Sequence, residues 1–135
     1  MLEIPDGNWW DWDVVAWDGA RFVLGSNYDL SYSHSLELVF TDPVYVQCPA
    51  LFHDPVFREP TPQEERLVRR TGEPFPVLVA FEAEGGCAPM TGLIAAGGLQ
   101  ILTGTVLRYW RDDADMEPGW RRAPWVTPPA SSPSP

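Results

Sequence analysis

The stretch from residue 28 to residue 40, YDLSYSHSLELVF, alternates between apolar and polar side chains along its whole length. Side chains of a β-strand point to opposite faces in turn, so a period of two predicts a half-buried strand, most regular over residues 34–40. One face of that strand is predicted to line the core. Its members are the even-numbered residues Tyr28, Leu30, Tyr32, His34, Leu36, Leu38 and Phe40.

Short turns on either side of this stretch predict a sheet built from hairpins. Asp18-Gly19 separates two apolar runs, which favours a hairpin between strands at 11–17 and 20–25, because its central positions want φ > 0. Asp42-Pro43 is predicted to end the long strand, and VYVQC predicts another at 44–48. Prolines at 49, 55 and 60 indicate an irregular, extended segment after it.

The second half contains the clearest helix signal in the chain. Thr61 as N-cap, Pro62 at the first helical position and Glu64 two residues later form a capping box, and Gly72 is a stop signal. They predict one short helix at about residues 61–71.

Strand signals dominate the sequence after this helix. FPVLVAFEAE (75–84) is apolar on both faces and predicts a central strand. Gly97-Gly98 predicts a hairpin turn within residues 91–110, and RRAPWV a final short strand. The Pro/Ser-rich residues 127–135 predict a disordered tail.

These signals together predict a mainly β (α+β) fold with one globular domain over residues 1–126. About seven or eight strands joined by short hairpins favour a bent antiparallel sheet with one short helix. A partly closed barrel and a sandwich follow equally from this strand pattern.

The charge of the chain argues against a nucleic-acid partner. The formal net charge is −10, and residues 1–57 contain nine acids against one base, Arg21. Nucleic-acid binders usually carry a basic face, whereas an acidic surface suits a basic protein. All nine bases are arginine, with no lysine, which indicates a GC-rich, bacterial genome. With no signal-peptide pattern, no membrane span and two cysteines, a cytoplasmic protein is expected.

His34 is the first candidate for chemistry, with Asp29 and His53 as its possible catalytic partners. No Gly-x-Ser-x-Gly motif accompanies it, and neighbouring serines in a strand point away from it. A buried, neutral histidine hydrogen-bonded to a backbone or tyrosine group is the favoured interpretation. Cys48 and His53 are five residues apart without a second close pair, so neither a metal site nor a cofactor is predicted.

The run NWWDWD offers a different kind of site, one that binds a protein. Exposed aromatic rings beside carboxylates could grip a basic partner. Equally, Trp10, Trp12 or Trp17 could fill the barrel while Trp9 stays exposed. The predicted partner-binding residues are Trp9, Asp11, Asp13 and Asp18.

In size, acidity and tryptophan content the whole chain resembles the small cytosolic immunity proteins that bacteria make against toxins. The resemblance implies an inhibitor of a basic toxin. The same features are compatible with an accessory subunit, and the alternative is a small-ligand-binding protein or enzyme with a pocket around His34. The oligomeric state is open.

Overall fold

The computed structural model describes residues 2–130, which form a closed antiparallel β-barrel with one short helix on its wall. The strands are β1 (Asp11–Trp17), β2 (Arg21–Asn27), β3 (Ser33–Gln47), β4 (Leu51–Arg58), β5 (Val77–Glu84), β6 (Met90–Leu107) and β7 (Arg121–Arg122). The helix α1 spans Pro62–Arg69, and a single 3₁₀ turn spans Asp113–Asp115.

Six of the strands close the barrel in the order β3-β2-β1-β4-β5-β6, because β6 pairs with β3 as well as with β5. The seventh strand, β7, adds in parallel to the end of β6. The predicted antiparallel fold is therefore confirmed, and of the two predicted architectures the structure is the barrel.

Two long bent strands replace four shorter predicted ones. β3 continues through Asp42, whose positive φ of 49° and the register shift after Pro43 bend the strand without ending it. The predicted hairpin turn at Gly97-Gly98 is wrong, because both glycines lie inside β6 opposite Thr41 and Asp42. A Cβ on Gly98 would lie 2.6 Å from Oγ1 of Thr41, so the missing side chain lets the two bent strands approach.

The predicted irregular segment at 49–60 is wrong as well, since most of it forms β4. Pro55 is tolerated there because the register shifts between His53 and Val56, which leaves the proline outside the regular ladder. Asp54, at the same irregularity, adopts a positive φ of 48°. β4 closes the barrel by pairing with both β1 and β5.

The barrel interior is filled by large side chains from every long strand. Trp12 is fully buried and stacks on Phe52, which in turn stacks on Phe81. Trp12 therefore fills the barrel, whereas Trp10 and Trp17 are exposed. The remaining core members include Phe22, Leu24, Leu36, Leu38, Phe40, Val79, Ala83, Ile94 and Ala96.

Helix α1 forms as predicted and covers part of the outer wall. The Thr61 hydroxyl accepts from the Glu64 backbone N–H, and the Glu64 carboxylate accepts from the Thr61 N–H, which completes the capping box. Val68 is the buried residue of the helix and packs in one cluster with Leu93 and Ala95 of β6.

The pairing of β3 with β6 is irregular beside His34, where two residues of β3 span three residues of β6. The register shifts between His34, opposite Val106, and Leu36, opposite Thr103. Its contacts place the His34 ring with Glu37 on the outer wall, while Leu36 and Leu38 remain inside. The predicted core-facing stripe is wrong in this part, and Tyr28 and Tyr32 are exposed because residues 28–32 precede the strand.

The chain after β6 runs along the outer wall above β3. Ala123 is buried and its N–H donates to the Leu107 carbonyl. Residues 127–130 are exposed and carry no regular secondary structure, and the rest of the predicted tail, 131–135, lies outside the described residues. No helix of residues 2–130 is long and apolar enough to cross a membrane.

Candidate functional site

A cleft of about 530 Å³ opens at the end of the barrel where β1 begins and β2 ends. Asn8 and Trp10 reach it from the segment before β1, and Asp11 from the first position of that strand. Tyr28 and Asp29 reach it from the loop after β2. The cleft therefore combines two aromatic rings with two carboxylates from separate parts of the chain.

Asp11 is fixed at the cleft by two contacts. Its Oδ1 lies 3.2 Å from Nε2 of His53, and its Oδ2 accepts a hydrogen bond of 3.1 Å from the Leu30 backbone N–H. The His53 ring stacks on Trp10 with centroids 4.3 Å apart and an angle of 15° between the planes. His53 therefore supports both the carboxylate and one face of the indole, because β4 pairs with β1 at these positions.

Asp29 is held by its own loop. Its Oδ1 accepts hydrogen bonds from the backbone N–H of Ser31 at 2.8 Å and from the Ser31 hydroxyl at 2.6 Å. These bonds lower the pKa of Asp29 from its ordinary value, because they stabilise the charged form. The carboxylate is thus ionised and oriented at neutral pH.

The two aromatic residues at the cleft are both exposed to solvent. Tyr28 is 65% exposed and Trp10 is 41% exposed. Sequence reasoning offered Trp10 as a barrel plug and Tyr28 as part of the core stripe, so it missed both. The available signal was their position: Trp10 directly precedes β1 and Tyr28 directly follows β2, at one end of a hairpin.

Of the predicted partner-binding residues, only Asp11 lines this cleft. Trp9 is half-buried, packs against the core and donates its Nε1–H to the Pro5 carbonyl at 2.7 Å. Asp18 accepts from the backbone N–H groups of Ala20 and Arg21 in the β1–β2 turn, which lowers its pKa. Asp13 is engaged by Arg108 on the outer wall.

That outer wall carries a chain of charged side chains around His34. Arg108 donates from both Nη atoms to the Asp13 carboxylate at 2.7 Å each, and its Nε–H donates to Nδ1 of His34 at 3.0 Å. On the other side of the ring, Nε2 of His34 lies 2.7 Å from Oε2 of Glu37. Arg121 of β7 then donates to Oε1 of Glu37 at 3.2 Å. We call these five residues the wall network.

Both ring nitrogens of His34 are occupied within the wall network. The residue is buried and both ring nitrogens have partners, which are side chains rather than the expected backbone or tyrosine groups. Burial acts to raise the pKa of Glu37, but the hydrogen bond from His34 and the charge of Arg121 outweigh it, so that this pKa lies below its ordinary value. The geometry is that of a structural network.

The three residues of the predicted catalytic alternative are therefore divided. Asp29 lines the cleft and His53 supports its wall, whereas His34 belongs to the wall network. Of these three residues, His34 is fully buried with both ring nitrogens occupied, and only Asp29 lines a cleft open to a small ligand. Among residues 2–130, no three His, Cys, Asp or Glu side chains are grouped so that they could hold a metal ion.

The cysteines lie apart from both places. Both are free thiols, Cys87 exposed and Cys48 partly packed against the core. Burial raises the pKa of the Cys48 thiol to about 12.

Comparison of the chain with family models, curated proteins and solved structures finds no match.

Proposed function

We propose that this protein is a binding module whose acidic barrel end docks onto a basic protein partner. One observation carries the proposal: a cleft in which the exposed rings of Trp10 and Tyr28 lie beside the carboxylates of Asp11 and Asp29. Large aromatic side chains dominate the energetics of protein interfaces, and they are usually buried in a free monomer.

The electrostatics of the cleft support a basic partner. No base is among the residues that line it in the described part of the chain, and the whole protein carries a net charge of −10. A field of one sign steers an oppositely charged partner and raises the association rate, an effect that salt screens. The partner we infer is a basic toxin that the protein would inhibit in the cytoplasm, or the basic face of a larger assembly to which it is an accessory subunit.

The first test compares capture of partners by tagged full-length variants. Trp10→Ala/Tyr28→Ala removes both cleft aromatics, and Trp17→Ala/Tyr32→Ala removes two even more exposed rings of the same types outside the cleft as a matched control. A partner that the control retains and the cleft variant loses supports the proposal. Equal retention by the two variants would contradict it.

The second test measures the association rate of the captured partner at increasing salt. We expect the rate to fall steeply between about 50 mM and 500 mM NaCl, because the Debye length shortens over this range. A rate that salt leaves unchanged would exclude electrostatic docking even if the complex is tight.

A further inference from the structure

We propose that the cleft receives a single arginine side chain of the partner, with its guanidinium group between the cleft carboxylates and stacked on an aromatic ring. This inference rests on the proposed function and names the group that the site recognises. It is carried by the chemistry of four of the five lining side chains, Trp10, Asp11, Tyr28 and Asp29.

The carboxylate groups of Asp11 and Asp29 can each accept further hydrogen bonds from a ligand. A carboxylate oxygen can accept two hydrogen bonds. Each oxygen of Asp11 has one protein partner, His53 on Oδ1 and the Leu30 N–H on Oδ2. Ser31 occupies Oδ1 of Asp29 twice, and among residues 2–130 no donor is within hydrogen-bond distance of its Oδ2. The remaining positions suit a ligand that only donates, as the five N–H groups of a guanidinium do.

The aromatic rings supply the flat surface on which a guanidinium stacks. His53 covers one face of Trp10, yet the indole is still 41% exposed, and the Tyr28 ring is more open still. A planar cation over such a ring gains cation–π attraction while its N–H edge stays free to bond a carboxylate. A lysine ammonium is a point charge and cannot do both with the same geometry.

The protein itself uses the same combination twice. Arg108 binds the Asp13 carboxylate with two hydrogen bonds of 2.7 Å, and its Cζ lies 5.3 Å from the centroid of the Trp125 ring. Arg122 donates to Asp113 at 2.6 Å and lies 4.0 Å from the Trp110 ring centroid. The cleft offers an equivalent ring-and-carboxylate set, with the difference that no arginine of residues 2–130 lines it.

The charge of the cleft separates this ligand from a neutral one. A sugar also stacks on exposed indole and phenol rings, but it carries no charge to offset two neighbouring carboxylates. Ser31 stabilises the ionised form of Asp29 with two hydrogen bonds, and Asp11 lies in the same cleft, so that both carboxylates attract a cation there. We therefore favour a cationic side chain over a carbohydrate.

The experiment is an NMR titration of the full-length protein that follows the indole N–H signals, with Trp10→Phe used to assign Trp10. The probe is a capped Gly-Arg-Gly peptide, compared with peptides in which citrulline or lysine replaces arginine. Citrulline keeps the planar shape and removes the charge. We expect a saturable shift of the Trp10 signal with the arginine peptide, and at least tenfold weaker binding of the other two.

Matched variants identify the site. Asp29→Asn and Tyr28→Ala should each weaken binding of the arginine peptide at least fivefold. Asp42→Asn, which removes the same charge at the bend of β3, and Tyr32→Ala, a neighbouring exposed tyrosine outside the cleft, should leave it unchanged. Circular dichroism checks that every variant is folded.

Three outcomes would overturn the inference: equal binding of arginine and citrulline, equal binding of arginine and lysine, or a saturable Trp10 shift with N-acetylglucosamine and none with arginine. A captured partner that Asp29→Asn binds normally and Trp10→Ala/Tyr28→Ala does not bind would also overturn it, while the proposed function would stand. If Asp29→Asn and Trp10→Ala/Tyr28→Ala both fail to capture a partner that the control variants bind, the result supports the arginine site.

Discussion

Nε2 of His34 lies 2.7 Å from Oε2 of Glu37, three residues further along the same strand. The tautomer of the ring follows from its other side, where the Nε–H of Arg108 donates to Nδ1. Arginine has no acceptor, so Nδ1 must carry a lone pair and Nε2 the proton. His34 is therefore a neutral ring that joins a buried cation to a buried anion.

Replacing His34 should be costly because it removes one hydrogen-bond partner from each of two largely buried charged groups, Arg108 and Glu37. We expect His34→Leu to lower the free energy of unfolding by about 3 kcal/mol, because two hydrogen bonds to charged groups are lost and each contributes roughly 1.5 kcal/mol or more. Urea denaturation followed by tryptophan fluorescence measures it. His53→Leu is the matched control, and because His53 is partly exposed, its loss should cost less than about 1 kcal/mol. Equal losses for the two histidines would contradict the structural role of the wall network.

Glu37 should make the protein sensitive to acid. Its pKa in the folded protein is lowered, so its contribution to stability is fully present above the pKa of the unfolded chain, about 4.3, and is lost as the pH falls through the lower folded value. Glu37→Gln should therefore be less stable than the natural protein at pH 7, and the difference should shrink between about pH 5 and pH 2. Thermal melts across this range measure it, with the exposed Glu73→Gln as control. A difference independent of pH would show that another group is responsible.

Gly25 is predicted to tolerate no side chain. A Cβ at this position would lie 2.5 Å from Cγ2 of Val15 and 3.2 Å from both Arg108 and His34, in the middle of the packed outer wall. Gly25→Ala should therefore destabilise the protein by about 1–3 kcal/mol, the range for overpacking. Gly19→Ala is the control, since no atom lies within 4 Å of the position that a Cβ would take there. A thermal melt of Gly25→Ala like that of Gly19→Ala would disprove the close packing.

The two thiols should differ in reactivity. Cys87 is exposed and should react with a disulfide reagent within minutes at pH 8, whereas the buried Cys48, with a pKa of about 12, should not. We expect about one thiol per chain to react in buffer and about two in urea. The absorbance of the thiolate that the reagent releases measures the number of reacted thiols. Cys87→Ser should abolish the native signal, and a persistent signal would place Cys48 at the surface.

Local signals predicted those elements that local physics determines. The predicted β1–β2 hairpin forms, although its turn has no positive φ at Asp18 or Gly19 and is held by Asp18, whose carboxylate accepts from two backbone N–H groups of the turn. The Thr61–Glu64 capping box specifies the helix. β4 was not predicted because a proline inside a regular strand breaks its ladder, and the sequence does not show the register shift that accommodates Pro55. The pair Gly97-Gly98 was misinterpreted for the same kind of reason, because only the approach of β3 shows why the glycines are there.

The candidate site was predicted in pieces. Asp11 and Asp29 were singled out separately, for partner binding and for catalysis, and the fold brings both to one cleft with Trp10 and Tyr28. Only the pairing of β1 with β2 and β4 places these segments together. The wall network could not be predicted from the sequence, since Asp13 and Arg108 are 95 residues apart and local alternation does not show the irregular pairing of β3 with β6 beside His34.

The wall network also determines when the barrel can be completed during synthesis of the protein. His34 and Glu37 leave the ribosome long before Arg108, and Glu37 must wait 84 residues for Arg121. β3 likewise stays without its main partner until β6 has been made. The strands β1 to β3 therefore stay incomplete until residues 90–122 have emerged, so the barrel is expected to assemble in one late, cooperative step rather than strand by strand.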